Sequence, residues 1–184
     1  MTHFVGLVMC ETEDEIENLV ADQDENLEVD PYFRPVEGED LERMVKFYTD
    51  KEMKEAAETG NDARTVDQEY LLNVMEDWNG GEGVVEDGVI GYMSTYNPES
   101  KWDWYEVGGR WGDEVPLNNC LAKDIPEYFK EWLPSVIVTK EHGWQSAKEF
   151  GWFGSSSPTG NDDVVEDILA ANPEARVWVV DFHI

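Results

Sequence analysis

The sequence predicts an α+β fold, because strand-like and helix-like patterns alternate along the chain and both of its ends are strand-like. Residues 2–10 form a short run rich in Val and Phe, and residues 175–184 are the most strand-like stretch of all. A helical pattern follows the first of these stretches, and another precedes the last. We therefore predict a single domain over residues 1–184, with a ferredoxin-like βαβ sheet whose terminal strands are central.

The first elements after the opening strand are a short helix and an edge strand. Thr12 and Glu15 form a capping-box pattern, which predicts a helix over residues 12–22. Residues 26–33 alternate between apolar and polar side chains before prolines interrupt them. Because proline cannot donate to a strand ladder, this pattern indicates a strand at a sheet edge.

Two longer acidic amphipathic helices are predicted next. The first begins near Glu39 and Asp40 and ends at Gly60, and the second begins at a capping pattern that includes Thr65 and stops at residues 79–81. Apolar residues recur every three or four positions in both helices, which gives each of them one buried face. These apolar residues are Leu41, Met44, Val45, Tyr48, Leu71, Val74, Met75 and Trp78.

The second half of the chain is dominated by strand patterns and aromatic turns. Its predicted helices are a short one after Asp124 and a clearly amphipathic one before Pro173. The predicted strands are residues 89–96, 102–107 and 136–138, and the predicted helices are residues 125–133 and 161–171.

Charge is the strongest functional signal, since 42 acidic and 13 basic side chains give a net charge of −29. Residues 11–87 hold 26 acidic and 6 basic side chains, a net charge of −20, so the first half is the more acidic. Such a surface repels nucleic acid and anionic membranes and attracts basic proteins. We therefore expect a basic protein partner and no direct binding to nucleic acid or membrane.

Patterns for metal ions, cofactors and phosphates are incomplete. Cys10 and Cys120 lack CxxC spacing. Residues 22–33 begin like a calcium loop, but Leu27 stands where glycine is needed and Phe33 where glutamate is needed. The glycine-rich residues 80–83 contain an acid where a phosphate cradle needs lysine. The sequence thus assigns no catalytic residue, no cofactor and no metal.

The tryptophan motif, residues 96–112, reads YNPESKWDWYEVGGRWG. Strand alternation would place Trp102 and Trp104 on one face and Asp103 on the other. The Gly-Gly pair that follows permits a sharp turn that projects Arg110, whose guanidinium can stack on an indole or bind a carboxylate. We expect the tryptophans of this motif to form a core scaffold.

The tryptophan motif resembles the YNPxSKWDWYxxGGRW motif of a family of bacteriophage and prophage proteins that also occurs in some bacteria. The similarity extends to residues 1–5, to a DENxEV-like segment at residues 24–29, to GxW and GWFG elements in residues 143–154, and to a VVDxHI-like C-terminus. Many relatives carry CxxC pairs beside the motif, which this sequence lacks, so a metal role does not carry over. The resemblance implies a phage-like origin and an accessory role.

Charge and resemblance together predict a DNA mimic that inhibits a basic, nucleic-acid-binding host protein, such as a defence nuclease or a CRISPR complex. Duplex DNA presents one negative charge per roughly 1.7 Å, and carboxylates along helices can occupy the same basic cleft. We expect this binding to occur in the host cell cytoplasm. The predicted contact residues lie on the two long acidic helices and are Glu39, Asp40, Glu42, Glu52, Glu55, Asp67, Glu69, Glu76 and Asp77.

One alternative is a ligand pocket between the tryptophan motif and the last strand. Aromatic faces and an arginine suit a planar anion such as a nucleotide. The candidate residues are Trp102, Trp104, Arg110, Trp111, Asp181 and His183.

Another alternative is a small enzyme with an Asp/His cluster. His3 and His183 lie on the two terminal strands, so pairing of those strands would bring the histidines close to each other or to Asp181. No nucleophile belongs to this set. A more general interpretation is that the acidic surface serves only solubility or adaptation to high salt.

Overall fold

The computed structural model describes five segments of the chain, which are residues 2–79, 81–112, 118–126, 134–150 and 156–184. They form two compact units. Unit 1 consists of Met1–Leu27 and Asn97–Ile184, and unit 2 consists of Glu28–Tyr96. Helices and strands are both present, which confirms the α+β class, whereas the single domain stays a prediction.

The described helices comprise four α-helices and several short 3-10 turns. None of the described helices has the length and apolar character that crossing a bilayer requires. The α-helices are α1 (Ile16–Val20), α2 (Gly38–Thr59), α3 (Gln68–Asn79) and α4 (Val164–Ala171). The strands are β1 (His3–Met9), β2 (Tyr32–Pro35), β3 (Gly83–Glu86), β4 (Val89–Ser94), β5 (Trp104–Val107), β6 (Asn119–Leu121), β7 (Val136–Thr139), β8 (Gly143–Ser146), β9 (Lys148–Phe150), β10 (Ser156–Pro158) and β11 (Arg176–His183).

The main sheet of unit 1 has six strands, in the order β5-β11-β1-β7-β8, with β6 also paired to β11. β1 and β11 are antiparallel in a register that runs from His3 opposite His183 to Met9 opposite Val177. β1 pairs with β7 in parallel, and the remaining pairs are antiparallel. The terminal strands are therefore interior strands, as predicted. The ferredoxin-like arrangement is not confirmed.

Both faces of this sheet are covered, because its interior strands carry apolar residues at nearly every position. One face packs against α4, and the other packs against α1. The core on the α4 face contains Val5, Leu7, Ala122, Ile125, Ile137, Ala147, Val164, Val165, Ile168, Leu169, Val177 and Val179. The core on the α1 face contains Phe4, Val8, Ile16, Val20, Trp102, Val136, Val138, Val180 and Phe182.

Unit 2 is a three-stranded antiparallel sheet, in the order β2-β4-β3, with the long helices α2 and α3. Its buried core consists of Val36, Leu71, Met75 and Ile90. Gly60 ends α2 in the left-handed conformation, with φ of 73°, which is the usual role of glycine after a helix.

The helices agree with the sequence patterns except at their ends. Helical turns run without a break from Glu13 to Gln23, and the Glu15 carboxylate accepts a hydrogen bond from the Thr12 backbone N–H at 3.2 Å. The cap of α3 differs from the prediction, because the carboxylate of Asp67 accepts the Tyr70 backbone N–H at 3.0 Å. The predicted helix over residues 125–133 lies largely outside the described residues.

The strand predicted over residues 26–33 is wrong over most of its length. The chain turns at Asn26 instead, whose backbone N–H donates to the Asp24 carboxylate at 2.8 Å. Such local side-chain bonding competes with strand pairing. β2 begins only at Tyr32, and it does lie at a sheet edge, where Pro35 is tolerated.

Gly6 in the middle of β1 is required by close packing, which gives a first prediction. A Cβ at this position would lie 2.6 Å from the ring of Phe182, which is fully buried and packs against Phe4 and Trp144. We expect Gly6→Ala to lower the free energy of unfolding by about 1–3 kcal/mol through overpacking. Urea denaturation of the variant and of the wild type will measure this difference in the free energy of unfolding.

A double-mutant cycle with Phe182→Leu tests the cause. Leucine lacks the ring atoms that the new methyl group would meet, so Gly6→Ala should cost less in the Phe182→Leu background. An equal cost in both backgrounds would show that the Phe182 ring is not the reason for glycine.

Candidate functional site

The acidic segment, residues 11–25, carries eight carboxylates and no Lys or Arg. No Lys or Arg occurs between residues 2 and 33. The inward positions Ile16 and Val20 are buried on the sheet, so the carboxylates lie on the outer side of the helical turns. The six exposed carboxylates are those of Glu11, Glu13, Asp14, Glu15, Glu17 and Asp22. The carboxylates of Asp24 and Glu25 are half-buried.

The tryptophan motif holds the end of the acidic segment in place. The Asn97 side chain, only 2% exposed, donates to the backbone oxygens of Asp22 and Asp24 at 2.8 and 2.9 Å. The indole N–H of Trp102 donates to the backbone oxygen of Val20 at 3.0 Å. The backbone N–H of Lys101 donates to a fourth backbone oxygen of this segment, that of Gln23, at 2.8 Å. The motif therefore holds the backbone of the acidic segment by hydrogen bonds and also contributes to the core.

Burial has an electrostatic consequence where the acidic segment ends. Partial burial raises the pKa of the Glu25 carboxyl above its ordinary value, and the nearby carboxylates of Asp103 and Asp24 raise this pKa further. Like charges and partial loss of water both disfavour the ionised form.

The contact surface predicted on α2 and α3 is only partly available. Glu52 is 4% exposed, so its assignment to a contact surface is wrong. The Asp77 side chain lies outside what the structure describes. The other predicted residues are exposed, but the α2 carboxylates alternate with exposed cations. Those exposed predicted residues are Glu39, Asp40, Glu42, Glu55, Asp67, Glu69 and Glu76, and the cations are Arg43, Lys46, Lys51 and Lys54.

Glu52 is buried because it has specific partners inside unit 2. Its carboxylate accepts hydrogen bonds from the Arg64 guanidinium at 2.5 and 3.0 Å and from the Tyr70 hydroxyl at 2.7 Å. The bonds from Arg64 and Tyr70 lower the pKa of Glu52 to about 2. Burial and the Glu52 carboxylate raise the pKa of Tyr70 to about 12. This carboxylate is structural, which the helical charge pattern alone did not reveal.

The histidine cluster, formed by His3, His183, Asp103 and Asp181, lies where the terminal strands meet. The rings of His3 and His183 are edge to face, with centroids 4.8 Å apart. His3 Nδ1 lies 2.9 Å from Asp181 Oδ1, and His183 Nδ1 lies 2.5 Å from Asp103 Oδ1. Each histidine therefore has its own carboxylate, and the carboxylate that pairs with His183 is Asp103.

Trp104 and Arg110 complete the surroundings of the histidine cluster. The Trp104 ring stacks on His183 with centroids 5.1 Å apart and remains 42% exposed. The backbone N–H of Arg110 donates to Asp181 Oδ2 at 3.2 Å. His183 Nε2 is buried and has no hydrogen-bond partner among the described residues.

The predicted ligand pocket is thus divided between the two faces of the sheet. Trp104, Arg110, Asp181 and His183 come together, whereas Trp102 packs edge to face with Tyr105 in the opposite core. Strand alternation failed here because β5 begins only at Trp104, after the bridge between Asp24 and Trp102. Trp111 packs against the core on the α4 face.

The cluster has the geometry of two carboxylate–imidazole pairs. A carboxylate on Nδ1 fixes the tautomer of an imidazole and leaves Nε2 as the position for proton exchange. Among the described residues, no cluster of three or more His, Cys, Asp or Glu side chains could hold a metal ion. Sequence patterns suggested His3, His183 and Asp181, but Asp103 and the anchoring role of Asn97 had no recognisable signal.

Comparison of the chain with family models, with curated proteins and with solved structures finds no match.

The Glu52 carboxylate gives a prediction for stability against pH. Its pKa is lower in the folded protein than the ordinary value of 4.5, so the unfolded chain binds more protons as the pH falls. The stabilisation it provides is complete above pH 4.5 and is lost as the pH falls towards about 2. Urea denaturation of wild type and Glu52→Gln should differ most near neutral pH and converge in acid.

Glu55→Gln is the matched control, because Glu55 lies one turn further along α2 and its carboxylate is 51% exposed. We expect it to change the free energy of unfolding by less than about 0.5 kcal/mol. A constant difference between Glu52→Gln and wild type across this pH range would contradict the assignment.

The buried Asp181 carboxylate gives a prediction for the histidine cluster. Its side chain is 2% exposed, bonds His3 Nδ1 and accepts from the Arg110 backbone N–H. Asp181→Asn removes the negative charge and leaves a single acceptor oxygen for these two partners. We expect a loss of about 1–3 kcal/mol in the free energy of unfolding. Glu106→Gln, at the exposed cross-strand neighbour of Asp181, should be almost neutral. Equal effects of the two substitutions would show that the cluster contributes nothing specific.

Proposed function

We propose that this protein is a phage-type accessory protein that inhibits a basic, nucleic-acid-binding host protein by mimicking DNA. The observation that carries the proposal is the acidic segment, which presents exposed carboxylates with no Lys or Arg between residues 2 and 33. A basic cleft that binds phosphates would meet carboxylates and no Lys or Arg side chain of this segment. The resemblance to phage proteins points to host defence nucleases and CRISPR complexes as the class of partner.

The spacing of the carboxylates suits this role. Helical turns advance by about 1.5–2 Å per residue, and the acidic segment carries a carboxylate at roughly every second residue. Its carboxylates therefore follow one another at roughly 3–4 Å along the segment, compared with about 3.4 Å per phosphate along one DNA strand. Ile16 and Val20 face the core, so the charged side chains share the outer side.

Anchoring by the tryptophan motif supports the proposal further. Asn97 and Trp102 bind backbone oxygens at the end of the acidic segment, so its shape does not have to be ordered on binding. A preordered surface loses less conformational entropy on association than a flexible acidic tail. The exposed carboxylates of α2 and α3 form a second, weaker contact surface, because neighbouring cations compensate part of their charge.

The proposal predicts that neutralising the acidic segment weakens binding more than neutralising α2. The test variant is Glu13→Gln with Asp14→Asn, Glu17→Gln and Asp22→Asn, which leaves the capping Glu15 intact. The matched control removes four charges from α2 by Glu39→Gln, Asp40→Asn, Glu42→Gln and Glu55→Gln. We expect the test variant to weaken capture of basic host proteins on the order of tenfold at low salt and to flatten the salt dependence.

Competition with duplex DNA identifies the binding mode. A captured protein should be released by added duplex DNA and by salt, because the mimic and DNA occupy the same cleft. Captured proteins that duplex DNA does not displace, or equal binding by the test variant and wild type, would contradict the proposal.

A further inference from the structure

Unit 2 contains a cavity of about 410 Å³ between the N-terminal half of α2 and the sheet face formed by β2 and β4. This volume is in the range of sites for small organic ligands, roughly 300–1,000 Å³. Its apolar lining includes Met44, Phe47 and Tyr48 from α2 and Tyr92 from β4. Phe47 is 55% exposed, so part of its ring is accessible to a ligand at this cavity.

Two arginines line the same cavity, although the whole chain contains only five. Arg34 is exposed on β2 opposite Tyr92, and its side chain has no ion pair or hydrogen bond among the described residues. Arg43 donates to the Asp40 carboxylate at 2.6 Å through one terminal nitrogen and to the Glu39 backbone oxygen at 3.4 Å through Nε, and Asp40 lines the cavity as well. A guanidinium has five N–H donors, so Arg43 keeps further donors for a ligand. The cavity therefore combines an apolar lining with cationic donors at its edge.

A second cavity, of about 370 Å³, serves as an internal comparison. It lies on another side of α2 and is lined by apolar residues such as Leu41 and Val45. Among the residues that the structure describes, its charged lining residues are Glu37 and Asp67, and no Lys or Arg is one of them. The difference in charge between the two cavities is local, since both lie in unit 2 of a strongly acidic chain.

We propose that the cavity with Arg34 and Arg43 is a binding site for a small organic anion, a carboxylate with a planar apolar body. The carboxylate pairs with the Arg34 guanidinium, whose planar fork matches it in two parallel hydrogen bonds. The apolar body lies against Met44, Phe47 and Tyr92, where it removes apolar surface from water. This site is independent of the acidic segment and of the proposed DNA mimicry.

Naphthalene-2-carboxylate and its neutral amide form the probe pair, since they share one apolar body and differ in charge. Calorimetry and protein NMR should detect saturable 1:1 binding of the carboxylate at about 1 mM, with shifts at the residues that line the first cavity. The amide should bind about tenfold more weakly, because it cannot form the charged pair with Arg34.

Three variants locate the site. Arg34→Gln should weaken binding of the carboxylate about tenfold and leave the amide unchanged, and Phe47→Ala should weaken both ligands. Both side chains are exposed, so neither change threatens the fold. Lys54→Gln removes one cation from α2 outside the cavity lining and should leave both affinities within about twofold. Absence of saturable carboxylate binding, equal binding of the amide, no effect of Arg34→Gln, or shifts confined to the second cavity would overturn the proposal.

Discussion

The antiparallel pairing of β1 with β11 is the constraint on which unit 1 depends. It joins the two ends of the chain over the full length of β1. Every other strand of the main sheet builds outwards from this pair, and both apolar cores use its side chains. Such distant residues lose much chain entropy when they meet, so the pairing becomes stable only when both faces are covered. The same pairing brings His3 and His183 together.

The acidic segment illustrates how tertiary contacts overcome local repulsion. α1 has only five residues, and a helix this short is not stable by itself, least of all among like charges. Two buried side chains, Ile16 and Val20, attach it to the sheet, and the tryptophan motif binds its backbone oxygens. The composition of the motif is thereby explained, because it supplies an aromatic core residue and two side-chain donors to the backbone. The acidic segment can carry charge at this density because buried apolar side chains and hydrogen bonds to its backbone hold it on the sheet.

The charged side chains of unit 2 are arranged differently. α2 intersperses acidic and basic side chains on its exposed surface, and Glu52 is withdrawn into a pair with Arg64 and Tyr70. Arg34 has no ion pair among the described residues and lies beside a largely apolar cavity, within a chain whose net charge is −29. Local placement, and not net charge, therefore decides which ligands each surface can accept.

The sequence by itself determined the fold class, the positions of the longer helices and the strand character of both ends, because these depend on hydrophobic periodicity and on local caps. It did not determine the strand order, the turn at Asn26, the partners of Glu52 and His183, or the split of the tryptophans between two cores. Those features depend on contacts between residues far apart in the chain, such as Asp103 with His183. Hydrophobic periodicity indicates which side of a helix or strand is buried, whereas the residues that this side packs against depend on the tertiary structure.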